Sequence, residues 1–338
     1  MTIHEGKAYF DLPVVRAIDN FITVAQASGL GYERTEQALH VIGPLGSFRL
    51  SGTGQGTALV ISSDRIDKLQ DMRDQMTARI TALGLTLNWQ DQKVAGRPVN
   101  LSLARIETIT RLSPSYMRIT MCGPDLARFG TGGLHFRLLF GPAGANWPQI
   151  DAAGVTQWPG GGMTAWHRPV YTTRRFELLG SSGAARITFD VFLHDGGRVT
   201  EWTRTVQPGD KIAITGPGGS KLPDRSGWLG VIGDETAVPV AARLLAGVDP
   251  ATRGEAILFV SDPADIQQLA HPEGVSLRWI IRGGTETPVS AFDSMAYPEA
   301  DRFLFFAAER RAAVELRPKL TDAGFQKSEY HAAAYWTD

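Results

Sequence analysis

Residues 229–245 read Leu-Gly-Val-Ile-Gly-Asp-Glu-Thr-Ala-Val-Pro-Val-Ala-Ala-Arg-Leu-Leu. Leu229 to Ile232 is short and apolar, as a strand buried on both faces should be. The run breaks at Gly233-Asp234, and Val238, Ala241, Ala242 and Leu245 then fall at helical spacing. A strand that hands over to a helix in this way is half of a parallel βαβ unit. Pro239 fits the first helical turn, where backbone N–H groups have no intrahelical partner. Ligands of such sheets bind at the carboxyl ends of the strands, which makes Gly233 to Pro239 a candidate site by position. It is neither a GxGxxG fingerprint nor a P-loop.

Downstream, Ala256 to Val260, Leu277 to Ile281 and Phe303 to Ala307 are further apolar runs. Ser261-Asp262-Pro263-Ala264-Asp265 predicts a turn and a short helix after the first of them. The alternation predicts a parallel sheet with helices on its faces.

Upstream, from about Ala95 to Pro223, the pattern changes to strands. In Arg186 to His194, Ile187, Phe189, Val191 and Leu193 point one way; Thr188, Asp190, Phe192 and His194 point the other. Pro208-Gly209-Asp210 turns into a strand at Lys211 to Thr215. Many short strands punctuated by Gly and Pro predict an antiparallel barrel, with a long loop between Gly141 and Pro169. The first segment, to about Lys93, is a small α+β unit. Ile66, Leu69, Met72, Met76, Ile80 and Leu83 make one helix face, with Ser63 or Asp64 as its cap and Gly84 as its stop. Strands are expected at Gly46 to Leu50, Thr57 to Ile61 and Leu85 to Trp89, and a helix near Val15 to Ala27. The fold class is therefore multidomain α+β and α/β, divided at 1–94, 95–224 and 225–338.

Composition narrows the function. The 338 residues carry 34 Lys and Arg against 35 Asp and Glu, so overall charge points to neither nucleic acid nor an anionic membrane. The single cysteine, Cys122, forms no intrachain disulfide and belongs to no zinc-spaced cluster. No apolar run is long enough to insert in a membrane, and Met1 to Leu12 lacks signal-peptide character, so the expected compartment is the cytoplasm. Nothing in the sequence sets an oligomeric state.

Three stretches carry chemistry. In Arg168-Pro169-Val170-Tyr171-Thr172-Thr173-Arg174, Tyr171 can stack on a planar ring, Thr172 can hydrogen-bond its edge, and Arg174 can hold a phosphate. Strand alternation places Thr172 and Arg174 on one side. The same residues also fit a plain barrel wall. In His194-Asp195-Gly196-Gly197-Arg198-Val199-Thr200-Glu201-Trp202 a strand meets a short helix. Either the glycines and Thr200 receive a phosphate at the helix start, or this is a Gly-Gly turn with a helix cap. Gly233 to Pro239 is the third.

In this order and spacing, the three stretches resemble the siderophore-interacting protein family, which lies among the ferredoxin-reductase-like flavoproteins. The resemblance runs from about Arg97 to Trp336. It includes Leu112 to Thr120, Gly123-Pro124-Asp125-Leu126, Pro208-Gly209-Asp210, Thr215 to Ser220, Ala307-Ala308-Glu309 and Ala334-Tyr335-Trp336. The chain departs from the family pattern at Pro169, Ala308 and Ala334. The first segment resembles a small accessory domain of uncharacterised function.

The resemblance implies FAD in the barrel domain and NADH or NADPH in the C-terminal domain. It implies a ferric siderophore as substrate, whose iron leaves as Fe(II). It assigns Arg168, Tyr171, Thr172, Arg174, His194, Gly197 and Thr200 to the flavin. Asp234, Glu235, Thr236 and Trp336 fall at the nicotinamide side. Because a ferric siderophore is often anionic, a local basic pocket is expected, from Arg168, Lys319 and Lys327, with His167 and Arg175 as further cations. No metal-ligand set is needed, since the siderophore supplies it. Two other readings remain open: a siderophore- or flavin-binding protein with little nicotinamide turnover, and a general flavin or ferric-chelate reductase.

Overall fold

A computed structural model describes residues 2–54, 56–181, 183–219 and 227–337. The expected boundary at 224/225 and Ser220 lie outside the described residues. Contacts group the chain into two units. The first holds the residues up to Ser102 together with Leu139–Arg168; the second holds Leu103–Leu138 and the residues from Pro169 onward.

In the first unit the order is β1 (His4–Phe10), α1 (Val14–Ala27), β2 (Gly31–Arg34), β3 (Ala38–Gly43), β4 (Gly46–Thr53), β5 (Gly56–Ser63), α2 (Ile66–Ala82) and β6 (Asn88–Trp89). The sheet runs β2-β3-β4-β5-β1-β6. On α1 the buried residues Val14, Ala17, Ile18, Phe21, Ile22 and Ala25 recur at steps of three and four against that sheet. Each large side chain among them contributes roughly 1.5–3 kcal/mol by burial.

The second helix departs from expectation in two ways. Neither Ser63 nor Asp64 caps it; the N-cap is Arg65, which has no side-chain cap bond. Ser63 Oγ instead donates to Leu45 O. Of the apolar face, Leu69, Met72 and Ile80 are buried, while Ile66 and Leu83 are exposed. Asp67, Gln70 and Arg73 are buried as well. Part of this polar stripe docks the excursion 139–168, which contains the short antiparallel pair β10 (Gln149–Ile150) and β11 (Thr156–Gln157). Arg73 Nη1 donates to Ala153 O at 2.7 Å, Gln70 Nε2 to Gly154 O at 2.8 Å, and Thr156 Oγ1 to Asp74 Oδ2 at 2.6 Å. The long loop read as part of the middle segment thus groups with the first unit. Gly84 ends α2 as expected, at φ +75°.

The second unit begins with a seven-stranded antiparallel sheet. Its strands are β7 (Leu101–Ser113), β8 (Tyr116–Gly123), β9 (His135–Leu139), β12 (Val170–Thr172), β13 (Arg175–Leu178), β14 (Ala185–Phe192) and β15 (Lys211–Gly218), with α3 (Arg198–Thr205) before the last. The order is β12-β9-β15-β7-β8-β14-β13. The edge strands β12 and β13 are separated by only Thr173 and Arg174. Thr173 N donates to Leu134 O on one side and Arg174 N to Thr188 O on the other. Two consecutive residues therefore hand the chain from one edge to the other, and the sheet closes there. Ile187, Phe189 and Val191 are fully buried, as the alternation requires.

The C-terminal part is a parallel sheet of five strands: β16 (Trp228–Gly233), β17 (Arg253–Val260), β18 (Val275–Ile281), β19 (Arg302–Glu309) and β20 (Tyr330–Trp336), ordered β18-β17-β16-β19-β20. On one face α4 (Val238–Gly247) packs through Val238, Ala241 and Leu245. On the other lie α5 (Pro288–Ser294) and α6 (Arg310–Asp322), through Phe292 and Leu316 among others. In place of the short helix expected with the turn after Val260 there is a single 3-10 turn, Pro263–Asp265.

Candidate active site

The closure of the antiparallel sheet falls within Tyr171-Thr172-Thr173-Arg174. Tyr171 packs against Phe189 at 5.4 Å between ring centroids and against Phe136 at 6.5 Å, and it stays partly exposed. Thr172 is buried, and its hydroxyl lies 3.2 Å from His135 Nδ1. Arg174 does not continue the strand that alternation was read along, because β12 stops at Thr172. Its Nε lies 3.3 Å from Asp190 Oδ2. Asp190 is itself gripped by Arg118, through Nε at 2.7 Å and Nη2 at 2.8 Å. Arg243 of α4 donates to Thr173 O at 2.7 Å, tying the closure to the parallel sheet.

Two buried donors here have no hydrogen-bond partner among the described residues: Thr173 Oγ1 and Arg174 Nη1. Such groups cost about 1–3 kcal/mol each when buried unpaired. An anion at Arg174 removes that cost, and the arrangement fits the phosphate end of a flavin nucleotide.

The His194 turn fits the same use. A Cβ on Gly197 would come within 2.7 Å of the exposed His194 ring and 2.9 Å of Thr200 Oγ1, so a larger residue would push that ring aside. Gly197 is the N-cap of α3 and has no side chain to satisfy the first-turn N–H groups. Thr200 Oγ1 accepts from His194 N at 3.2 Å and keeps its own proton to donate.

The Gly233–Pro239 turn behaves differently from expectation. Asp234 Oδ1 accepts from Thr236 N and Thr236 Oγ1, and Asp234 Oδ2 accepts from Trp336 Nε1 at 2.7 Å. Glu235 accepts from Ser261 Oγ and from Arg282 Nη1 at 3.0 Å, while its backbone oxygen accepts from Tyr116 Oη at 2.6 Å. The turn's polar groups thus brace the carboxyl edge. Asp234 and Trp336 line a cleft of about 320 Å³ there; Glu235 and Thr236 do not. Arg282, Thr287, Ala308 and Arg311 also line it, at the ends of β18 and β19 and the starts of α5 and α6. Sequence reasoning missed Arg282 and Arg311. The rule that ligands meet the carboxyl edge could have found Arg282, which directly follows the apolar run ending at Ile281.

The expected basic residues each have their own local setting. Arg168 lies in the first unit with its guanidinium over Trp158, 5.3 Å from the ring centroid. His167 bridges to Phe140 in the same unit. Lys319 pairs with Asp293 at 2.9 Å, and Lys327 is exposed at the turn before β20, at the amino edge of the sheet and away from the cleft. Arg175 is exposed on β13 beside the closure. Asp190 and His135 carry no local sequence signal of a site, whereas Tyr335 lies in the Ala334-Tyr335-Trp336 stretch singled out above.

Comparison with known proteins matches residues 105–221 to the siderophore-interacting FAD-binding domain and residues 226–338 to the siderophore-interacting protein domain. The chain is 28% identical over 247 residues to an NADPH-dependent ferric-chelate reductase of Escherichia coli, covering 70% of this chain and 91% of the relative. It is 26% identical to the ferric vibriobactin reductase ViuB of Vibrio cholerae, over 67% of this chain and 85% of the relative. Among solved structures, the siderophore-interacting protein SipS of Aeromonas hydrophila superimposes with a TM-score of 0.59 at 27% identity, over 71% of this chain and 93% of that one. A siderophore utilization protein from T. fusca shares the fold, with a TM-score of 0.61 at 23% identity, over 73% of this chain and 95% of that one.

Proposed function

We propose, from the premise that the chain belongs to the siderophore-interacting protein family, that it is an FAD-dependent oxidoreductase. It takes electrons from NADPH or NADH and reduces the Fe(III) of a ferric siderophore, releasing Fe(II). The observation that carries this reading is the sheet closure, where an aromatic face, a buried hydroxyl and an unpaired buried guanidinium nitrogen follow one another at Tyr171, Thr172 and Arg174.

FAD, when bound, supplies a group that accepts a hydride and gives up electrons singly, as iron requires. Tyr171 offers its ring to the flavin, Thr172 its hydroxyl to the ring edge, and Arg174 its free nitrogen to the pyrophosphate. Gly197 and the first turn of α3 receive the same pyrophosphate. Arg282 and Arg311 give the carboxyl-edge cleft the cations that a nicotinamide nucleotide's phosphates need, beside the small side chain of Ala308. Tyr116 of β8 ties the antiparallel sheet to the Gly233–Pro239 turn, and Arg243 of α4 ties the parallel sheet to the closure.

The siderophore holds Fe(III) through hard oxygen donors, which bind the less charged Fe(II) more weakly, so reduction releases the metal. Of the cations named from sequence, Arg175 stands beside the closure and is assigned to the anionic chelate; Lys319 and Lys327 are not. The cytoplasm, where reduced nicotinamide is made, is the assigned compartment. Among the described residues, no helix is long and apolar enough to cross a membrane.

The test is an anaerobic absorbance spectrum of the purified protein before and after NADPH, NADH and a ferric chelate. Flavin bands that bleach with nucleotide and return on adding Fe(III) support the reading. A protein that takes up no FAD overturns it, and bands that persist with both nucleotides overturn the assigned electron donor.

A further inference from the structure

Thr172 and His135 face each other in register between β12 and β9. Thr172 Oγ1 lies 3.2 Å from His135 Nδ1, and His135 Nε2 lies 3.2 Å from Tyr335 Oη. Tyr335 meets the imidazole edge-on, at 5.8 Å between centroids and 84° between planes. Thr172 and His135 are 5% and 8% exposed, and Tyr335 is partly exposed. A Cβ on Gly219 would come within 2.4 Å of His135 Cδ2, so the ring is closed over by a position that tolerates only glycine. Three side chains from β9, β12 and β20 thus form one row.

Burial, with His331 and Arg243 nearby, holds the His135 pKa down to about 4, so at neutral pH the ring has one N–H and one lone pair. Both hydroxyls can donate or accept, so the direction of the row depends on which is the better donor. A phenol is far more acidic than an aliphatic hydroxyl and is the stronger donor; the threonine oxygen is the better acceptor. The favoured arrangement has Tyr335 Oη–H donating to Nε2 and Nδ1–H donating to Thr172 Oγ1. With its oxygen occupied from behind, Thr172 directs its own proton forward.

We propose that His135 and Tyr335 are positioning residues that fix the Thr172 hydroxyl as a hydrogen-bond donor toward the flavin ring edge. This rests on the FAD reading above. Donation draws electron density from the ring and makes it a better hydride acceptor. Tyr335 therefore influences the redox chemistry from the far end of the row.

The test combines ¹⁵N-histidine NMR of the FAD-loaded protein with the flavin midpoint potential and stopped-flow reduction by NADPH, in wild type and Tyr335→Phe. The expected wild-type signal is the Nδ1–H tautomer at His135. In Tyr335→Phe that population falls, the midpoint potential drops, and the hydride-transfer rate constant falls roughly three- to tenfold, with nucleotide affinity retained. An Nε2–H tautomer in the wild type overturns the proposal whether or not the variant folds. So does a variant with wild-type potential and rate. Failure of the wild type to bind FAD would instead sink the functional reading on which the proposal depends.

Discussion

Trp336 Nε1 donates to Asp234 Oδ2 at 2.7 Å across 102 residues of sequence, fastening the end of the last strand to the turn that opens the parallel sheet. Asp234 is 1% exposed, and its other oxygen is taken by Thr236. Removing the indole donor leaves a buried carboxylate oxygen unpaired. Trp336→Phe is expected to lower stability by about 1–3 kcal/mol, read as a lower urea midpoint with unchanged slope.

Arg174 presents an unpaired nitrogen while Asp190 holds its Nε. Arg174→Lys keeps the charge but loses the planar fork. Titrating apoprotein with FAD should show affinity weakened roughly tenfold or more in this variant, and further in Arg174→Ala. Equal affinities across the three proteins would remove Arg174 from the flavin site.

Stability should depend on pH through His135. Its folded pKa, about 4, is below its unfolded value because burial disfavours the charged ring. Between these values the unfolded chain binds a proton that the folded chain does not. Stability is therefore full above pH 6.5 and falls as pH drops toward 4, by up to about 3 kcal/mol from this group. His331, also lowered by burial, adds in the same direction. Denaturant midpoints at pH 7, 5.5 and 4.5 should spread apart in the wild type, lowest at pH 4.5, and spread less in His135→Gln.

In the first unit, Arg73 is 3% exposed, pairs with Asp91 at 2.7 Å, donates to Ala153 O and lies 4.1 Å over the Trp89 ring. Arg73→Ala removes the anchor of the excursion 139–168. It should cost about 1–3 kcal/mol, chiefly through the orphaned Ala153 O, because Asp91 is partly exposed and keeps Lys93 at 2.8 Å. Hydrogen exchange should rise first across residues 149–157. Unchanged protection there would mean that Gln70 and Asp74 suffice to hold the excursion.

Much of the fold was legible. Helical spacing marked α2 and α4, and β14 announced itself by alternation, because burial of one face repeats with the geometry of the element. The helices α5 and α6 and the strand β20 were not read individually. Pro318 within α6 and the mixed sequence of Tyr330–Trp336 blur their periodicity. The α2 cap was misassigned because Ser63 spends its hydroxyl on Leu45, far away in sequence.

By itself the sequence determined the kinds of layer, the carboxyl-edge turn at Gly233 to Pro239 and the aromatic-hydroxyl-cation strand at Tyr171 to Arg174, since each is a local pattern. Only the tertiary structure decided how polar groups are shared out. It showed that Asp234 and Glu235 brace the edge, that Arg282 and Arg311 line the cleft, and that Thr172 is backed by His135 and Tyr335. It also assigned the excursion 139–168 to the first unit. Periodicity records which side of an element is buried, whereas the partner of a buried polar group is chosen by distance in space. That distance is set by strands up to 200 residues apart in the chain.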